Sequence, residues 1–219
     1  MEVLSVASGL WRWTGLHAEW KQEVGSVYYE SPDALVLIDP LVPPEDEERF
    51  WAALDRDVER ATRPVHVLVT VHWHTRHSRA IVERYAARVW APARARAAVA
   101  RRAGAVTDPF RPGDPLPGGV QAFATARSNE VVYWLPEHAT LVPGDVLLGD
   151  GAGGIRLCPD SWLPKGVDRR SSARASGPSS SCRSSACCSR MVRRSSPGPA
   201  PPWPELWVEA TYAGAPSAA

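Results

Sequence analysis

Val65-His66-Val67-Leu68-Val69-Thr70-Val71-His72-Trp73-His74-Thr75-Arg76-His77 puts half of the chain's six histidines within six positions, directly after an apolar run. The run is rich in valine and reads as a buried strand. The histidines therefore fall where that strand ends. Neutral imidazole is the commonest metal ligand near pH 7, so the cluster points to metal chemistry. His72 and His74 are two positions apart at a strand end, which turns both to one face, and His77 follows around the turn. Arg76 sits among them, and a guanidinium cannot lose its proton to ligate a cation.

Upstream, Val24-Gly25-Ser26-Val27-Tyr28-Tyr29-Glu30 reads as a strand and Ser31-Pro32-Asp33 as a turn. Leu35-Val36-Leu37-Ile38 is apolar throughout, as for a strand covered on both faces, and ends at Asp39-Pro40. Pro43-Pro44-Glu45-Asp46-Glu47-Glu48 opens a helix, with prolines at the start and acids in the first turn. Phe50, Leu54 and Val58 give that helix an apolar stripe, which Arg63-Pro64 stops.

Downstream, Ser78 begins a helix with Ile81, Val82 and Tyr85 on its apolar side. A short strand over 88–91, an Ala/Arg-rich helix over 93–103 and a turn-rich stretch over 108–119 follow. Strands are expected over 120–125, 130–135 and 139–142, the last ending at Gly144-Asp145. This order predicts an α/β (α+β) sandwich. Asp39, His72, His74, His77 and Asp145 all fall at strand ends, where ligands gather in such folds.

The chain has 219 residues, enough for one good core. Its net charge of +1 conceals two unlike parts. Residues 169–196 hold seven arginines and no acid, against 18 basic and 24 acidic residues elsewhere. The acidic body carries no basic stripe, so nucleic acid is not an expected partner. No apolar run is long enough to span a membrane. The start, Met1-Glu2-Val3-Leu4-Ser5, has no basic leader, so a cytoplasmic location is expected. Cys158, Cys182, Cys187 and Cys188 form no C-x-x-C pair.

Three segments are expected: a domain over 1–164, a disordered Ser/Arg/Pro-rich stretch over 165–202 and a poorly ordered tail over 203–219. Residues 169–196 contain eleven serines and no Leu, Ile or Phe, too little apolar surface to offset the entropy of ordering. An out-of-frame coding segment would account for this composition: GC-rich codons for 189–193, read one frame over, spell Ser-His-Gly-Glu.

These residues resemble the metallo-β-lactamase superfamily over about 1–164. Leu35-Val36-Leu37-Ile38-Asp39-Pro40 is similar to its second-strand motif. His72-Trp73-His74-Thr75-Arg76-His77 matches three of the four signature positions of H-x-H-x-D-H, with Arg76 at the place of the Asp. Residues 130–145 resemble its hairpin and the strand ending in a bridging Asp. The resemblance implies a four-layer αββα sandwich, incomplete in its C-terminal half because nothing after Trp162 supplies the remaining strand and helix. It implies a metal-dependent hydrolase of esters, thioesters or amides, in which the metal polarises a carbonyl and activates water.

By resemblance, His72 and His74 would serve one zinc, His77 a second, Asp145 would bridge and Asp39 would support from behind. The family's next histidine falls near Thr125-Ala126-Arg127-Ser128, where none exists, and its last has no counterpart. At most one zinc is therefore expected, with Arg76 pairing Asp145 in the metal's place. The alternatives are a non-catalytic remnant that binds a small molecule or nothing, and a binder acting through the Ser/Arg tail. Composition does not read out the oligomeric state.

Overall fold

The computed structural model describes residues 2–104, 106–149 and 155–167. Seven strands lie side by side in chain order: β1 (Glu2–Ala7), β2 (Leu10–His17), β3 (Gln22–Glu30), β4 (Leu35–Ile38), β5 (Val65–Leu68), β6 (Arg88–Pro92) and β7 (Asp108–Phe110). The first four run antiparallel and β4 to β7 run parallel. Parallel neighbours need crossovers, which α1 (Glu47–Ala61), α2 (Ser78–Tyr85) and α3 (Arg96–Ala103) supply.

Alternation decides what each face of this sheet meets. Leu35, Leu37, Val65, Val67 and Val69 join Phe50, Leu54, Ile81 and Val99 from the three helices. Val36, Ile38 and Leu68 point the other way. They meet Val131, Tyr133 and Leu135 of a second, antiparallel sheet made of β8 (Gln121–Ala124), β9 (Val131–Leu135) and β10 (Thr140–Val142). This is why the run over 35–38 is apolar at every position.

The outer side of the second sheet buries Val132 and Leu141 with Val146, Leu148, Cys158 and Leu163. Among the described residues, a hairpin of β11 (Leu147–Gly149) and β12 (Ile155–Leu157) and a short 3-10 turn, Asp160–Trp162, cover that side. The described layers are therefore helix, sheet, sheet and this thin cover, in keeping with the expected four-layer order and its incomplete C-terminal half.

The strand before the histidines is shorter than the sequence suggests. It ends at Leu68 because Asp39 takes the Thr70 N–H and Val71 turns away to bridge Glu130 of the second sheet. Among the described residues no helix is long and apolar enough to cross a membrane. Apart from 165–167, the two expected C-terminal segments lie outside the described residues, as do Cys182, Cys187, Cys188 and the out-of-frame reading.

Candidate functional site

Asp39 leaves β4 with φ +49°, in the left-handed region that Asp tolerates better than most residues. Its Oδ1 accepts the Thr70 N–H at 2.9 Å and its Oδ2 the Thr70 hydroxyl at 2.5 Å. The same Oδ2 lies 2.9 Å from His74 Nδ1. His74 Nε2 lies 3.0 Å from Asp145 Oδ1, just past β10. A carboxylate at each ring nitrogen favours the form in which both nitrogens donate, the charged imidazolium. Burial opposes that charge, but Asp39 and the bond to Asp145 outweigh it and raise the His74 pKa.

Asp145 is also buried, which by itself would raise its pKa. Its bond to His74, the Trp73 indole N–H donated at 2.6 Å and the charge of Arg127 reverse this and hold it below the usual carboxylate value. Arg127 Nη1 lies 3.9 Å from Asp145 Oδ2 and donates to Glu130 Oε2 at 3.0 Å. Its Nε and Nη2 donate to the Trp162 carbonyl at 2.9 and 2.6 Å. Glu130 is fully buried and takes the Val146 N–H on its other oxygen at 2.7 Å. Burial and the nearby Asp145 push its pKa up, against the pull of Arg127.

The structure brings together three of the residues singled out by sequence: Asp39, His74 and Asp145. It directs the others elsewhere. His72 Nδ1 lies 2.9 Å from Asn129 Nδ2, and His77 Nδ1 accepts the Val42 N–H at 3.1 Å. The expectation that His72 and His74 share a face is corrected, because His72–Thr75 is a 3-10 turn and two-residue spacing on it does not repeat a face. The pairing expected of Arg76 is corrected too. With φ +40° its side chain runs under β3, and Nη1 donates to the carbonyls of Gly25 at 2.6 Å and Asp39 at 2.8 Å. The guanidinium beside Asp145 that closes the ion network is Arg127's.

These donors do not fit a zinc centre. Catalytic zinc needs three protein ligands and an open position. Among the described residues no group of three or more His, Cys, Asp or Glu side chains is arranged to hold a metal ion. His74 and Asp145 face each other, but the other side chains at Asp145 are the Trp73 indole at 2.6 Å and the Arg127 guanidinium at 3.9 Å, and neither can ligate a cation.

Asp145 and Arg76 border two cavities. One is a mostly apolar groove between β2–β3 and the segment 140–145, with Leu10, Trp11, Val27 and Leu141 in its walls. The other is an open cleft of about 780 Å³ walled by Trp20, Trp73 and Trp162, with Arg102 and Arg127 beside them. Trp20 stacks on His17 at 4.0 Å. Sequence reading missed Thr70, Arg127 and Glu130. Its available signal was a charged pair three apart, set directly against the apolar run of β9.

No protein-family profile matches the sequence, and no curated protein matches it. Solved structures do match in shape. A metallo-β-lactamase from Pontibacter korlensis aligns with TM-score 0.54 at 17% identity, over 70% of this chain and 75% of its own. The metallo-β-lactamase DIM-1 aligns with TM-score 0.54 at 10% identity, over 70% and 73%. FIM-1 from Pseudomonas aeruginosa, in its mono-zinc form, aligns with TM-score 0.51 at 11% identity, over 70% and 72%. At such low identity the likeness concerns architecture: the sheet of seven, its three helices and the facing second sheet are the metallo-β-lactamase fold.

Proposed function

We propose that this chain is a hydrolase-fold protein with a degraded metal site, which binds a small organic anion in the cleft beside Asp145 and does not hydrolyse it through zinc. The observation that carries the reading is the state of His74, whose two nitrogens both face carboxylates, at 2.9 and 3.0 Å. While both nitrogens donate to those carboxylates neither offers a lone pair, so a metal would have to displace the Nε2 proton and the contact with Asp145. Trp20, Trp73 and Trp162 offer flat apolar surface, and Arg102 at the end of α3 is exposed on the same cleft. An aromatic ring carrying one negative charge suits both.

The test is calorimetry on the full chain with 2-naphthoate and with its neutral amide. Naphthoate should bind several-fold more tightly than 2-naphthamide, and Arg102→Glu should remove the difference. Equal binding of the two, or none, overturns the reading, as does EDTA-sensitive hydrolysis of an aryl ester or thioester by protein carrying one zinc per chain.

That last outcome would favour a second reading, a one-zinc hydrolase of esters, thioesters or amides. It is supported by the 3.0 Å between His74 Nε2 and Asp145 Oδ1. Two ligands of one tetrahedral zinc, each about 2.0–2.1 Å from it, lie roughly 3.3 Å apart.

A further inference from the structure

We infer that Arg127 serves as the built-in counter-cation for two buried acids of this site, Asp145 and Glu130, and that it closes the site to divalent metal. This deepens the metal-free half of the proposed function and is independent of what the cleft binds. Asp39, Glu130 and Asp145 come from separate stretches of chain, and each is less than one-tenth exposed. Buried carboxylates persist when paired and hydrogen-bonded.

The pairing here is an alternating line: Asp39, His74, Asp145, Arg127, Glu130. His74 spans the first two acids at 2.9 and 3.0 Å. Arg127 spans the last two at 3.9 and 3.0 Å. Asp145 and Glu130 each have the Arg127 guanidinium beside them, and Asp39 and Asp145 each have a His74 ring nitrogen within hydrogen-bond distance.

A divalent ion held by His74 and Asp145 would have to displace the contact between them. It would also lie within a few ångströms of a guanidinium that cannot deprotonate, and like charges that close in a buried site repel strongly. Arg127 cannot simply swing aside, because two of its nitrogens are fastened to the Trp162 carbonyl and a third to Glu130. It is a positioning residue in two senses: it fixes Asp145 electrostatically and holds the Trp162 wall of the cleft.

The test reads thermal midpoints of the full chain with EDTA and with added zinc. Wild type should give the same midpoint in both. Arg127→Met with Glu130→Gln, which removes the pair without stranding a charge, should melt several degrees lower and remain indifferent to zinc. Arg127→His with Glu130→Gln places a third donor beside His74 and Asp145, and zinc should raise its midpoint by several degrees.

Zinc that stabilises wild type as much as the Arg127→His pair, or that leaves that pair unmoved, overturns the inference. Since a double variant can fail to fold, equilibrium dialysis of wild type against zinc is read beside it: stoichiometric uptake overturns the proposal and its absence supports it. Stoichiometric zinc in wild type overturns this inference and counts against the metal-free half of the proposed function, whereas a failed naphthoate test overturns the ligand reading and leaves this inference standing.

Discussion

Asp39 and Thr70 are joined twice, by the Thr70 N–H at 2.9 Å and its hydroxyl at 2.5 Å. This pair fastens the end of β4 to the chain leaving β5, and it leaves one carboxylate oxygen aimed at His74. The orientation of His74, and through it the place of Asp145, therefore begins with an acid that follows a strand of four apolar residues.

Asp39→Asn separates charge from backbone. Asn tolerates the left-handed φ of this position and can still accept the Thr70 N–H. It cannot stand as an anion opposite His74. Removing one partner of a buried pair costs about 3–5 kcal/mol, so urea unfolding at pH 7 should show a loss of that order. A loss below roughly 0.5 kcal/mol, the size of an ordinary surface change, would mean that the pair contributes little.

Gly144→Ala should destabilise through contact alone. A Cβ there would lie 2.6 Å from Glu130 Oε1. Glu130 is held by Val146 and Arg127 and has no room to withdraw. Overpacking of this kind costs about 1–3 kcal/mol. Thermal unfolding checks it, and an unchanged midpoint would show that the 143–146 turn yields.

Trp73 has two roles that substitution can divide. Its indole N–H serves Asp145 at 2.6 Å, and its ring walls the cleft. Trp73→Phe keeps the wall and removes the donor, so stability should fall by about 1.5–3 kcal/mol while naphthoate affinity holds. Trp73→Leu should lose both. Equal affinities for the two variants would argue that the ring is no part of the ligand surface.

The fold was legible where burial is two-sided. Residues 35–38 and 65–68 are apolar because both faces are covered, and α1 shows its stripe because one face is. β1 and β2 left no such mark: Leu10-Trp11-Arg12-Trp13 mixes charge with aromatic surface, since part of each strand meets solvent. The two motifs named His74 and Asp145, which the structure brings within 3.0 Å, but the cation expected beside Asp145 was Arg76. Arg76 lies closer to His74 in sequence, yet a positive φ turns it toward β3, and no spacing rule reports that. Arg127 reaches Asp145 from the second sheet, a long-range contact that local pattern does not encode.

His66 supplies a pH dependence outside the site. It sits on β5 and accepts the Trp90 indole N–H on Nδ1 at 2.9 Å. A nitrogen that accepts is unprotonated, so the folded ring is held neutral. Burial first, then the charge of Arg88, keeps its pKa below 6.5. The unfolded ring protonates at about 6.5. As pH falls through that value the unfolded state binds more protons than the folded one, and stability drops, by at most about 1.4 kcal/mol per pH unit for one group. Above it the contribution is constant. His17, His72 and His77 are shifted the same way and His74 the opposite way, so the informative quantity is a difference between proteins. His66→Gln can accept the same N–H without titrating. Urea midpoints measured from pH 8 to pH 5 should therefore fall less in the variant than in wild type, with the two curves parting below about pH 6.5. Parallel curves across that range would mean that His66 protonates in the folded protein as readily as in the unfolded chain, and that its bond to Trp90 does not hold the ring neutral.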